Sequence, residues 1–144
     1  MMKKNNKQIT IFVGVLIHEG KVLLTKRDEP ECPEAHLKWE LAGGKCDFEE
    51  VPSDAIVREF KEETGRVVKV KKLLPYVGVN YWDYEWGKQQ TFVFVYLLDL
   101  VKDQEPEEKD HHVAELAWVD LKDIDYKNCL PLVEEIIREA REYL

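Results

Sequence analysis

The sequence has few cysteines, a deficit of positive charge and no apolar run long enough to cross a membrane. Its three cysteines, Cys32, Cys46 and Cys129, are widely spaced and odd in number, so reduced thiols are expected rather than a disulfide framework. Lys and Arg number 21 against 29 Asp and Glu, which gives a net charge of −8. That charge argues against nonspecific binding to nucleic acid or to an anionic membrane. We therefore expect a cytoplasmic protein with neither nucleic acid nor membrane as a partner.

The first apolar segment is ITIFVGVLI, residues 9–17. It follows a basic start, but it is short and lacks the small-residue cleavage site of a secretory signal. We interpret it as a strand that forms a hairpin with residues 21–26 around the turn at Glu19-Gly20. A length of 144 residues indicates one domain, which we assign to residues 8–144 after a polar arm of residues 1–7.

Other segments predict the remaining architecture. Further strands are expected at residues 39–41, 67–75, 90–98 and in a segment that ends near Trp118, with residues 76–79 as a continuation of the second. Residues 101–110 read as an acidic surface loop, and residues 131–143 as a C-terminal helix with apolar residues at helical spacing. Strands before and after a central helix, with a second helix at the end, suggest a mixed sheet between helical layers.

That central helix is predicted at residues 53–64, with Ser53 as its N-cap and Gly65 as its left-handed C-terminal stop. At about 100° per residue, one arc of the helix carries charged side chains and a neighbouring arc is apolar. The charged arc contains Arg58, Glu59, Glu62 and Glu63, and the apolar arc contains Ile56, Val57 and Phe60. The apolar arc can therefore face a core while the charged arc stays outside it.

The clustered carboxylates could simply be a solvated face on which Arg58 and Glu62 form an i,i+4 ion pair. The glycine pair Gly43-Gly44 favours another interpretation, because glycine lets the backbone approach a ligand closely. Carboxylate and carbonyl oxygens are the ligands of hard divalent cations such as Mg²⁺. We predict a metal site here, and therefore phosphoryl chemistry. The motif offers no Ser, Cys or His nucleophile with a partner, so direct attack by water is the expected mechanism.

Seven residues between positions 44 and 65 stand at a fixed spacing that resembles the Nudix hydrolase signature, G-x5-E-x7-R-E-U-x-E-E-x-G-U, where U is bulky and apolar. They are Gly44, Glu50, Arg58, Glu59, Glu62, Glu63 and Gly65, and Phe60 satisfies the first U. Arg66 departs from the second U, where an aliphatic residue is usual, and Ala42 stands where many members carry proline. We expect these departures to affect packing and loop shape more than chemistry. The resemblance implies the Nudix fold, an α/β/α sandwich with a mixed β-sheet.

By motif position, the resemblance implies that Glu59, Glu62, Glu63 and the carbonyl of Gly43 bind the metal ion. The ion is expected to be Mg²⁺, and Mn²⁺ could replace it. The catalytic residues implied are Glu62, Glu59 and Arg58, whose bidentate fork would orient the carboxylates.

The group that takes the proton from water differs among family members. Glu62 is one candidate here, and the downstream candidates are Glu115, His111 and His112. Glu50 is expected to support the loop before the helix.

The substrate is less well defined. Small size, the segment at residues 37–41 and the Glu115-x-x-Trp118 ending look most like the MutT-like nucleoside triphosphate pyrophosphohydrolases, which release a nucleoside monophosphate and pyrophosphate, sometimes from an oxidised or noncanonical base. We therefore expect substrate contacts from Trp39 and Glu115. Tyr81 and Tyr84 lie in an aromatic segment, residues 81–86, that could stack on a base or form a hairpin tip or dimer contact.

Several alternatives stay open. A tyrosine in the region of Tyr84 also occurs in dinucleoside polyphosphate hydrolases of the family, and other members cleave nucleotide-sugar or ADP-ribose conjugates. A catalytically silent, nucleotide-sensing domain is disfavoured because no motif carboxylate is lost. An isoprenoid diphosphate isomerase is disfavoured because no cysteine and glutamate pair is recognisable beyond the motif. A homodimer is also compatible with the sequence.

Overall fold

The structure, a computed structural model, describes residues 5–144. Its elements are β1 (Lys7–His18), β2 (Lys21–Arg27), β3 (Trp39–Glu40), β4 (Gly43–Gly44), α1 (Pro52–Thr64), β5 (Val67–Tyr84), β6 (Gly87–Lys102), β7 (Val113–Asp120), a short 3₁₀ helix (Tyr126–Asn128) and α2 (Val133–Arg141). Residues 1–4 of the predicted arm lie outside the described residues, and Lys7 is already the first residue of β1. None of the helices among the described residues is long and apolar enough to span a membrane.

The strands form one mixed sheet in the order β3-β2-β1-β6-β5. Strand β1 runs parallel to β6 and antiparallel to β2, from which it is separated by the turn at Glu19-Gly20. Both turn residues have a positive φ, 51° and 78°, the conformation that a tight hairpin with right-handed strand twist requires. Short strand β4 pairs with β1, and β7 pairs with β2. The mixed sheet predicted from the order of the elements is therefore confirmed.

One helix packs on each face of this sheet, and each face has its own apolar cluster. On the α1 side, the buried residues include Leu16, Leu23, Ile56, Phe60 and Leu98. On the α2 side, they include Val15, Leu24, Val95, Val133 and Ile137. Neighbouring residues of β1 and of β2 enter opposite clusters because side chains alternate across a strand. This arrangement is the predicted α/β/α sandwich.

Helix α1 begins one residue earlier than predicted. Val51 occupies the N-cap position without a side-chain hydrogen bond, and Pro52 is the first helical residue. The assignment of Ser53 as N-cap is therefore wrong: the fixed φ of proline suits the first helical position, so Ser53 falls inside the first turn. Gly65 ends the helix in the left-handed region, with φ 78°, as predicted.

The hairpin of β5 and β6 is longer than predicted, because the aromatic segment belongs to it. Strand β5 reaches Tyr84 through three irregularities in its pairing with β6, between Val67 and Val68, between Val70 and Lys72, and between Leu73 and Val77. Pro75 is tolerated because β5 is an edge strand. Helix α2 is shorter than predicted, since the positive φ of Leu132, 81°, prevents it from starting at Pro131.

Phe60 anchors α1 on the sheet and gives a test of the core. Its side chain is fully buried, whereas Phe48 in the loop before α1 is 95% exposed. We expect Phe60→Ala to lower the free energy of unfolding by about 3–5 kcal/mol because it leaves a cavity. The matched change Phe48→Ala should leave that free energy within about 0.5 kcal/mol of the wild-type value. Urea unfolding followed by circular dichroism measures both, and equal losses would contradict this assignment of the core.

Candidate active site

The two glycines of β4 allow close contacts on two sides, Gly43 with strand β1 and Gly44 with helix α1. A Cβ atom on Gly44 would stand 2.8 Å from the carboxyl carbon of Glu59, and one on Gly43 would collide with the backbone of Phe12. A side chain at position 43 would require the backbone of β1 to move, whereas one at position 44 would press on the Glu59 carboxylate, the far end of a flexible side chain. The charged arc of α1 therefore lies against exposed backbone, as the glycine pair in the sequence suggested.

Arg58 donates hydrogen bonds to three carboxylates and thereby links α1 to the loop before it. Its Nε donates to Glu50 Oε2 at 2.7 Å and its Nη2 to Glu50 Oε1 at 2.9 Å. Its Nη1 donates to Glu59 Oε1 at 3.1 Å and to Glu62 Oε2 at 3.2 Å. The Arg58–Glu62 ion pair of the simpler interpretation therefore forms, but as part of a network. The bidentate bonds from Arg58 lower the pKa of Glu50 to about 2, so Glu50 stays ionised.

Glu63 is the least compensated carboxylate of the motif. It accepts one hydrogen bond, from the amide of Gly43 at 3.3 Å. Burial raises its pKa well above the usual range, and the charges of Glu40, Glu59 and Asp110 raise it further. Burial also raises the pKa of Glu59, partly offset by Arg58. Two neighbouring carboxylates of α1 therefore share an environment in which negative charge is poorly neutralised.

The predicted metal ligands are not gathered into one cluster. Among residues 5–144, no three His, Cys, Asp or Glu side chains stand close enough together to hold a metal ion. Arg58 Nη1 donates to the carboxylates of Glu59 and Glu62, whereas Glu63 accepts its hydrogen bond from Gly43 of β4, so the three carboxylates do not share one partner. Glu62 and Glu63 also border different cavities.

A cleft of about 420 Å³ opens beside Glu63 and Gly43. Its walls come from β1, β2, β3, β5, β6 and the start of β7, and they include Arg27, Glu40, Lys45 and Tyr84. A second groove, of about 550 Å³, lies on the other side of α1, where Arg58 and Glu62 meet the loop before β7. The first cleft is large enough for part of a nucleotide-sized molecule.

Of the four residues expected to contact substrate, Tyr84 lines this cleft. Its ring stacks on Trp86 with centroids 5.1 Å apart, and burial together with the charge of Glu29 raises its pKa to about 12. Tyr81 points to the other side of β5, because it stands an odd number of residues from Tyr84. There its hydroxyl accepts a hydrogen bond from Gln90 at 2.9 Å.

Trp39 and Glu115 meet at Lys26, on the side of β2 that faces away from the cleft. The ammonium of Lys26 lies 5.6 Å from the Trp39 ring centroid and 3.1 Å from Glu115 Oε2. The structure therefore joins these two predicted residues to each other and not to Glu63. Their contact with substrate stays a prediction.

Sequence reasoning missed the residues that form the wall opposite α1. Arg27 donates to both oxygens of Glu40, at 2.7 and 2.8 Å, and to Glu29 at 3.1 Å. The available signal was the alternation of side chains along a strand. Glu40 follows Trp39 and Arg27 follows Lys26, so the side chains of Glu40 and Arg27 point away from the face that carries Trp39 and Lys26. Asp110, whose charge acts on Glu59 and Glu63, gave no signal within the acidic loop.

The low pKa of Glu50 predicts a pH-dependent contribution to stability. Because the folded-state pKa, about 2, lies below the ordinary value of 4.5, the contribution is fully present above pH 4.5 and is lost as the pH falls toward 2. We expect Glu50→Gln to be less stable than the wild type at pH 6, and this difference to shrink by pH 2. Urea midpoints across this range measure it, and a constant difference would contradict the assignment.

Comparison with known proteins agrees with this geometry. A family model described as NUDIX domain matches residues 9–140. The chain is 39% identical over 59 residues to the CTP pyrophosphohydrolase of Escherichia coli, covering 41% of this chain and 42% of that protein. It is 37% identical over 62 residues to the 8-oxo-dGTP diphosphatase of the same organism, covering 41% and 45%. Each match spans less than half the length of the relative.

Solved structures extend the similarity to the whole fold. The crystal structure of a MutT Nudix hydrolase from Burkholderia pseudomallei superposes with a TM-score of 0.71 at 24% identity, covering 92% of this chain and 97% of that one. At this identity the likeness concerns the fold, which is the one the motif implied. The chain therefore belongs to the Nudix family.

Proposed function

We propose that this protein is a Mg²⁺-dependent hydrolase that cleaves a diphosphate linkage of a nucleoside triphosphate. The products are a nucleoside monophosphate and pyrophosphate, and the nucleophile is water. The observation that carries the proposal is the pair Glu59 and Glu63, two poorly neutralised carboxylates packed against the glycine backbone of β4. Glu63 also borders a cleft large enough for part of a nucleotide. Such a pair suits a cation that is shared with substrate phosphates.

The donor chemistry around α1 fits a divalent metal ion. Glu59, Glu62 and Glu63 offer hard carboxylate oxygens, and the carbonyl of Gly43 offers a further one. Burial, and beside it the charges of neighbouring carboxylates, raises the pKa of Glu59 and Glu63, and a bound cation would offset both effects. When bound, the ion would neutralise phosphate charge and lower the pKa of the attacking water.

The chain's own residues would orient the reactants and take up a proton. Arg58 would fix the carboxylates of Glu59 and Glu62 through its shared Nη1. We assign the proton acceptor to Glu62, which is half exposed: the water oxygen bonds to phosphorus, the bridging P–O bond breaks, and the water proton passes to a Glu62 carboxylate oxygen. Asp110, whose charge reaches Glu59 and Glu63, joins Glu115, His111 and His112 as a downstream candidate.

The cleft would hold the nucleotide. Lys45 lies beside Gly43 on its wall and supplies positive charge for phosphates, and Tyr84 offers an aromatic face for a base. The names of the two Escherichia coli relatives, which concern CTP and 8-oxo-dGTP, support a triphosphate substrate, either canonical or oxidised. Trp39, Tyr81 and Glu115 would contact a substrate only if it extended beyond this cleft.

Cellular setting and assembly belong to the same proposal. Cys32, Cys46 and Cys129 are unpaired, which supports a reducing, cytoplasmic compartment.

The proposed partner is a small-molecule nucleotide. Strand β5 is an edge strand with Val77 and Val79 exposed, and this surface would support a homodimer.

The direct test is product release with Mg²⁺ from canonical and modified nucleoside triphosphates, dinucleoside polyphosphates, ADP-ribose and nucleotide sugars. We expect a monophosphate and pyrophosphate from triphosphates, and no turnover after chelation of the metal with EDTA. Activity restored by Mg²⁺ or Mn²⁺ would support the metal assignment. Turnover of conjugates alone would move the protein to another branch of the family, and inactivity on every compound would favour a nucleotide-sensing domain.

Glu62 can be tested with a matched control. The substitution Glu62→Gln is nearly isosteric, so we expect an unchanged fold and a turnover reduced by roughly 10²–10⁴-fold, the usual contribution of a general base. Glu134 on α2 is similarly exposed, at 52% against 55%, and also forms an i,i+4 ion pair with an arginine. Glu134→Gln should therefore retain full turnover. Near-normal Mg²⁺-dependent turnover by Glu62→Gln would refute its role.

A further inference from the structure

Arg66 is a buried charge at the point where α1 ends. Its side chain is only 7% exposed, and it donates from Nε to Asp103 Oδ1 at 2.8 Å, from Nη2 to Glu105 Oε1 at 3.3 Å, and from Nη1 to the carbonyl of Thr64 at 2.8 Å. A buried guanidinium needs such partners, since removing it from water is costly. The motif position usually holds an aliphatic residue, so this charge is a feature of the present chain.

The partners of Arg66 begin the acidic loop, which was predicted at residues 101–110 and which the structure places at residues 103–112, between β6 and β7. The backbone of this loop lies directly on the end of α1: a Cβ on Gly65 would collide with Glu105 and Pro106. On its other side the guanidinium carbon of Arg66 stands 5.9 Å from the ring centroid of Trp118, in β7. Arg66 therefore contacts both the start of the acidic loop and the strand that follows it.

The far end of the acidic loop reaches the proposed catalytic residues. Asp110 and His111 line the groove that contains Arg58 and Glu62. His112 lines the cleft that contains Glu63. Asp110 also fixes the loop's end, since its carboxylate accepts from the amide of His112 at 2.8 Å. Backbone bonds also hold this end, from the amide of Asp28 to the carbonyl of His112 at 2.8 Å and from the amide of Val113 to the carbonyl of Asp110 at 3.0 Å. Arg66 acts on the loop from its start, in addition to these bonds.

We propose that Arg66 is a positioning residue, which fixes the acidic loop on the end of α1 so that Asp110 and His112 stand beside the motif carboxylates. This inference rests on the proposed function for its catalytic consequence. Its structural part, the hold of Arg66 on residues 103–112, is independent of any substrate. The two parts can therefore be measured separately.

The informative variant is Arg66→Met, which removes the charge but keeps an unbranched apolar side chain suited to this motif position. We expect a folded protein in which the amides of His112 and Val113, which both donate to Asp110 at the far end of the acidic loop, exchange with solvent about tenfold faster or more, because the loop opens locally. Because the attacking water and the carboxylates are then misaligned, kcat should fall about tenfold or more. The KM for the nucleotide should stay within about twofold of the wild-type value. Arg66→Lys, which keeps one charge, should restore part of both losses.

Arg138→Met is the matched control, because Arg138 pairs with Glu134 on α2 and is 74% exposed. It should change neither exchange in the acidic loop nor kcat. Wild-type exchange and wild-type kcat in Arg66→Met would overturn the proposal, and so would faster exchange with an unchanged kcat. If Arg66→Met did not fold, the double variant Asp103→Asn/Glu105→Gln would remove the same two ion pairs from the side of the loop. Wild-type exchange, or faster exchange with an unchanged kcat, would overturn the proposal there too. An inactive wild type would refute the proposed function but leave the exchange measurement valid.

Discussion

The close approach of α1 to the sheet is the constraint on which the rest of the site depends. Phe60 packs on Gly14 of β1, where a Cβ would stand 3.0 Å from its ring, and Glu59 lies over Gly44 of β4. Two glycines on adjacent strands thus let one helix sit directly on backbone, its apolar arc in the core and its charged arc at the strand edge. A side chain at Gly14 would press on Leu98 and on the Phe60 ring, and one at Gly44 on the Glu59 carboxylate, so either would disturb the contact of α1 with the sheet.

The local part of this arrangement is predictable from sequence. The spacing of the motif places Glu59 and Glu63 on one face of α1, and the burial of Ile56 and Phe60 follows from the same periodicity. The wall opposite α1 is different, because Arg27 meets Glu40 only through the pairing of β2 with β3. Pairing of distant segments is a tertiary property that a local pattern does not contain. Arg66 is a similar case, since its partners lie 37 and 39 residues away.

Charge distribution explains why one arginine holds so many carboxylates. The chain has a net charge of −8, and α1 adds several glutamates within two turns, which would repel one another. Arg58 offsets that repulsion by donating to Glu50, Glu59 and Glu62 together. Glu63 is left outside this network, and this makes it the carboxylate most in need of an external cation.

The cleft wall and the carboxylate face of α1 belong to different parts of the fold, so the shape of the cleft can change independently of the carboxylates. Half of its lining residues belong to strands β1, β2, β5 and β6, and α1 contributes only Glu63. Substitutions at Thr25, Trp82, Gln89 or Thr91 would reshape the space for a base or sugar without touching the network of Arg58. The carboxylate face of α1, by contrast, is fixed by glycine backbone. In the proposed function, the carboxylate face would carry the reaction while the strand wall would set selectivity among nucleotides, so that one could change without the other.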